Sequence, residues 1–204
     1  MIIKNLGVQV ESIWKNLRPM TKKMLVTVME TNTKKRKKSF SYDIHADWEL
    51  GELLKVLDEQ TSKRDETAGA DNLQEINDLA KICAEVLEEK TESAEIFIQL
   101  AGRALTKKNY AKIDTLSDIL IQRYKASEVA EVIRQTESAP IRAIAYESLV
   151  VMSVSSIIPL IKDPLYFETA CNVLQQQAIE FENEEALLAL EHLSASFSPN
   201  LRQK

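Results

Sequence analysis

Four glycines and five prolines among 204 residues leave little of the material from which turn-rich β architectures are built. The glycines, at positions 7, 51, 69 and 102, each stand alone, so neither a phosphate-cradling loop nor a dinucleotide fingerprint can be assembled from them. Histidine is equally scarce. Of the two, His192 lies beside Leu190 and Leu193 in a helical stretch and reads as a partly exposed helical residue. The two cysteines, Cys83 and Cys171, are far apart on apolar helical stripes, which fits buried free thiols in a reducing compartment better than a disulfide framework or a metal site. The longest near-apolar run, Leu149 to Ile161, carries three serines and a proline and falls short of the roughly 20 residues that span a bilayer. The opening MIIKNLGVQV lacks the pattern of a secretory signal. These features point to a soluble, cytoplasmic protein. No serine or cysteine has the surroundings of a recognisable nucleophile, so a non-enzymatic chain without cofactor or metal is expected.

What is abundant is the helix-forming set, Leu, Ile, Ala, Glu, Lys and Gln, within a hydrophobic content of 45% that suffices for a packed core. The fold class expected is mainly α. Leu50, Leu53, Leu54 and Leu57 follow the i, i+3, i+4, i+7 template, with Asp47 as N-cap and an end near Gln60. A second helix is read from about Asn72 to Lys90, a third from about Thr91 through Leu105, and a fourth behind the capping Asn109 with Tyr110, Ile113, Leu116, Leu120 and Tyr124 on one stripe. Ser138 before Pro140 and Asp163 before Pro164 mark two further starts, and Pro159 shortens or kinks the piece between them. Asn183, followed by Glu184 and Glu185, opens a last helix through Leu193.

The first 45 residues stand apart. They hold ten Lys/Arg against three Asp/Glu, a net +7, whereas residues 46–204 hold sixteen against twenty-eight, a net −12. The division expected is a basic N-terminal appendage, 1–45, and an acidic all-helical domain, 46–204. VESIWKNL forms one amphipathic helix with Val10, Ile13, Trp14 and Leu17, ended or restarted by Pro19. Beyond it two readings compete for residues 24–44. MLVTVMET is rich in β-branched residues and SFSYDI alternates, which makes a β-hairpin closed by a lysine-rich loop; alternatively a helix continues through Met20, Met24 and Val28. Asp43, His45 and Asp47 would share a face in an extended segment and suit a divalent cation, but as a strand end running into an N-cap they hold nothing.

AGRAL at 101–105, AYESL at 145–149 and ACNVL at 170–174 each set a small residue one turn before leucine. Around the last two, PIRAIAYESL and then SIIPLIKDPLYFETACNVL resemble HEAT-type α-helical repeats, over roughly residues 116–193. The resemblance implies an irregular antiparallel helix-pair array with an extended surface for protein binding. The alanine spacings, 44 and then 25, depart from the family's fixed period of about 40–47 residues, so an irregular multi-helix bundle is the other architecture to be distinguished.

Function is read accordingly as protein–protein interaction, an adaptor or scaffold acting through a helix-lined surface with apolar anchors rimmed by acidic residues. The alternative is nucleic-acid binding through Lys34, Lys35, Arg36, Lys37 and Lys38, with Phe40 and Tyr42 as stacking surfaces. An acidic protein partner could meet the same run, and a solvated connector needs no partner at all.

Overall fold

The structure, a computed structural model, describes residues 6–32, 42–64 and 70–197. Among them are eleven α-helices and one 3-10 turn, with no strand. The chain divides into two compact units, Met1–Thr91 and Glu92–Lys204. The break in charge at residue 45 and the break in packing at residue 91 are therefore different boundaries.

The first unit contains α1 (Val8–Asn16), α2 (Pro19–Asn32), α3 (Ile44–Arg64) and α4 (Ala70–Lys90). α3 and α4 pack along one another, and α1 and α2 lie against them. Leu50, Leu53, Leu54 and Leu57 are fully buried, facing a stripe on α4 of Ile76, Leu79, Cys83 and Leu87. The stripe spacing predicted this much. On α1, Val10 and Leu17 are buried while Ile13 and Trp14 are half-buried.

The competition over residues 24–44 resolves toward helix for its first half. α2 begins with Pro19, whose fixed φ suits a first helical position, and buries Thr21, Met24 and Leu25 at i, i+3 and i+4. Burial of that face outweighs the β preference of Val26, Thr27 and Val28, because strand propensity is mostly a statement about packing surroundings. The first hairpin strand is thus corrected to helix. Residues 33–41 lie outside the described residues, and Ile44 already belongs to α3.

Arg18, between α1 and α2, fastens this corner. Its guanidinium donates to both carboxylate oxygens of Asp43, at 2.9 and 2.7 Å, and to Glu49 Oε2 at 3.1 Å, while its backbone N–H donates to Glu49 Oε1 at 2.8 Å. Thr21 Oγ1 also donates to Glu49. Asp43 in turn accepts the Ala46 N–H at 3.0 Å, so it caps α3 one turn earlier than the Asp47 cap expected from sequence. Asp47 instead accepts the Tyr42 hydroxyl.

The second unit contains α5 (Ala94–Thr106), α6 (Tyr110–Arg123), α7 (Ala126–Gln135), α8 (Ala139–Val150), α9 (Val154–Ile157), the 3-10 turn Ile158–Lys162, α10 (Phe167–Glu180) and α11 (Glu184–Phe197). α5 packs with α6, α7 and α8, α6 and α7 with α8, α8 with α10, and α10 with α11. Ala101, Ala145 and Ala170, the small residues of the three recurring phrases, are all buried. Phe97 of α5 meets Tyr124 edge to face, with ring centroids 5.9 Å apart and planes at 72°.

Two asparagine caps act as expected: Asn109 Oδ1 accepts the Lys112 N–H at 3.1 Å and Asn183 Oδ1 accepts the Ala186 N–H at 3.2 Å. The Asp163–Pro164 start differs. Asp163 Oδ1 accepts the Leu165 N–H at 2.9 Å, building a turn, and α10 begins only at Phe167. Tyr166 in that turn donates to Glu131 Oε2 at 2.8 Å, and Arg134 donates to the same carboxylate, which joins the turn to α7.

Asp43 and Glu131 give each unit an acid-sensitive tie. The Arg18 guanidinium, against the opposing effect of burial, brings Asp43 from its ordinary 3.8 down to about 2. Arg134, again against burial, and then the Tyr166 hydroxyl bring Glu131 from 4.5 down to about 2. A carboxyl depressed in the folded state contributes its stability above its unfolded pKa and loses it as pH falls through the folded value. Melting temperature is accordingly expected to be level at about pH 6 and to drop between about pH 4.5 and 2. A melting temperature that stays level down to about pH 2 would show that neither tie matters.

Candidate functional site

The sequence-designated contact residues fall mostly outside view. Lys34, Lys35, Arg36, Lys37, Lys38 and Phe40 lie outside the described residues. Tyr42 is described, half-buried, and its hydroxyl is engaged by Asp47. The trio Asp43, His45 and Asp47 is not brought together as cation ligands: α3 starts at Ile44, Asp43 is held by Arg18, and among the described residues no group of three His, Cys, Asp or Glu side chains could hold a metal ion. One turn apart on α3, Ile44 and Trp48 are exposed.

Two features of the second unit are shaped to receive something. The first is a cleft of about 580 Å³ where the end of α6 meets the end of α8 and the 3-10 turn. Ile121, Tyr124, Val151 and Leu160 give it apolar walls, and Lys125 is its one charged lining residue. Of its serines, Ser156 Oγ donates to Ser153 O at 2.7 Å, and the Ser153 and Ser155 hydroxyls bond to each other at 3.1 Å.

The second is the outer surface of the α10–α11 hairpin. The three consecutive glutamines of α10 divide by helical geometry. Gln177 points inward with Ala170, Val173 and Leu174, and its Nε2 donates to Val150 O at 2.6 Å and Met152 O at 2.7 Å, satisfying carbonyls at the end of α8. Gln175 and Gln176 point outward with Asn172 and Ile179, forming a trough of about 290 Å³. Ile179 and Phe181, the last apolar residues before the turn, are 69% and 59% exposed.

α11 packs against α10 through Ala186. Its outward residues Glu184, Leu187, Leu188 and Glu191 stand at i, i+3, i+4 and i+7, and the leucines are 51% and 55% exposed. Two adjacent leucines in water, flanked by carboxylates one turn away on either side, form an apolar centre with an acidic rim. Residues 163–201 carry seven acidic side chains, Asp163, Glu168, Glu180, Glu182, Glu184, Glu185 and Glu191, and neither Lys nor Arg.

Sequence reasoning did not single out Leu187 and Leu188. The available signal was an apolar set, 186 to 190 and 193, too broad for a single stripe. No helix among the described residues is long and apolar enough to cross a membrane. Comparison with known proteins finds no family model, no curated protein and no solved structure that matches the chain.

Proposed function

We propose that this chain is a non-enzymatic adaptor or scaffold of the cytoplasm, binding a protein partner through the helix-lined surface of its second unit. The observation that carries the reading is the pair Leu187 and Leu188, each more than half exposed on a helix whose main packing is against α10. Covering two half-exposed leucines contributes about 2 kcal/mol to association. The exposed Ile179 and Phe181 extend the apolar material, and the cleft beside Tyr124 offers a second seat. That Cys83 and Cys171 form no disulfide is compatible with a reducing setting.

The test is affinity capture by the full chain from nuclease-treated lysate of its source, comparing wild type with the double variant Leu187→Glu, Leu188→Glu. A partner protein retained by the wild type and lost by the variant is the expected result. Material that vanishes with nuclease and is indifferent to the α11 variant would instead assign the binding to the basic run Lys34 to Lys38.

A further inference from the structure

We propose that the outer face of α11 receives a cationic amphipathic helix, one whose apolar residues are flanked on both sides by lysine or arginine. The inference deepens the interaction reading above and rests on it.

Geometry and charge both select this occupant. Glu184 and Glu191 are seven residues apart, about 10 Å along the axis at 1.5 Å per residue, and Leu187 and Leu188 lie between them. A partner helix laid along this face meets the leucines with its own apolar residues, and cations about two turns apart on it reach both carboxylates. Glu180, Glu182 and Glu185 add to the same field, and no cation of residues 163–201 offsets it. The other classes of occupant are disfavoured by the same charges. A second copy docked face to face on α11 would set Glu184 and Glu191 against their own counterparts, since a two-fold contact pairs a surface with itself. Phosphates of nucleic acid and of anionic lipid are repelled. A neutral apolar helix would leave the rim without partners, whereas a cationic one gains the attraction that raises the rate of encounter and fixes the register.

The experiment uses the full chain and a fluorescein-labelled helical peptide of about 18 residues, leucine along one face and lysine flanking it. A companion peptide carries glutamate in place of each lysine. Four proteins are titrated: wild type; Leu187→Ser with Leu188→Ser; Glu184→Lys with Glu191→Lys; and Asp114→Lys with Asp118→Lys, which makes the same charge change at exposed positions of α6. All four are checked for an unchanged melting temperature, and binding is read by anisotropy.

The lysine peptide is expected to bind wild type saturably, about tenfold more weakly to the serine variant and at least about tenfold more weakly to the α11 charge reversal. The α6 reversal should change affinity less than about twofold, and the glutamate peptide should prefer the α11 reversal. Absence of saturable binding to the wild type overturns the proposal. So does an equal loss in the α6 reversal, because that would be attraction by overall charge and not by this face. If neither occurs but the serine variant binds unchanged, the leucines are not the anchor and the proposal also fails. The two readings separate cleanly: lysate capture that is still lost in Leu187→Glu, Leu188→Glu while the lysine peptide ignores α11 keeps the interaction surface and rejects only the partner's chemistry.

Discussion

Replacing Arg18 with methionine is expected to lower the stability of the first unit, because buried Glu49 is left without its cation, an effect tempered because Arg18 is partly open to water. Methionine keeps the apolar stem, so packing along α2 changes little. What is lost is the pair of bonds to Asp43 and one to Glu49. Asp43 retains its cap on Ala46, and Glu49 retains Thr21 and the Arg18 backbone N–H, so α3 still forms. The result to look for is faster amide exchange in α1, α2 and the first turns of α3. Adding Glu49→Gln to the methionine variant should recover part of the loss, because the uncompensated carboxylate is then gone. No recovery would mean that the clasp acts through shape and not through charge. A second reading comes from acid. As pH falls toward about 2 the wild type loses what Asp43 contributes, and the gap between it and the variant should narrow.

How much of this was written legibly in the chain depends on which physical signal each element carries. α3 and α4 show a clean 3.6-residue stripe on one face, the α6 stripe buries Leu116, Leu120 and Tyr124 but leaves Tyr110 exposed, and the asparagines at 109 and 183 are caps whose side chains do what capping chemistry requires. α2 was ambiguous because Val26, Thr27 and Val28 fit strand and helix alike, and only the neighbours that cover Met24 and Leu25 decide between them. α7 was left unassigned. It opens at Lys125 with no side-chain cap, and neither Gly nor Pro separates it from α6, although Ala126, Val129, Ala130 and Ile133 keep helical spacing. The three small-then-leucine phrases did locate core positions, since each of their alanines is buried. The acid-rimmed leucines of α11 were the hardest to read. A helix apolar on more than one side can be a core helix or a docking helix, and the difference lies in which neighbours it has, a fact of the fold and not of its own residues.

Phe97→Ala is expected to be the most damaging single substitution in the second unit, costing about 3–5 kcal/mol in urea unfolding. Phe97 is buried on α5, the helix that α6, α7 and α8 all touch, so its removal opens a void that no one neighbour can fill. The loss goes beyond volume. Its edge-to-face partner Tyr124 also packs beneath Arg123, whose guanidinium carbon is 5.9 Å from the ring centre, and Tyr124 is one wall of the apolar cleft. Without Phe97 that ring loses its support on one side, so exchange should rise not only in α5 but also across Leu120 to Val129, where the cleft is built. Phe97→Leu separates the two contributions. It restores most of the volume and should cost less than about 1.5 kcal/mol if void formation dominates, with the aromatic pair adding about 0.5–1.5 kcal/mol in a double-mutant cycle with Tyr124→Leu. A cost near zero for Phe97→Ala would mean that α5 is not the centre of this unit. A cost confined to α5, with Leu120 to Val129 unchanged, would mean that the cleft wall stands independently of the core behind it.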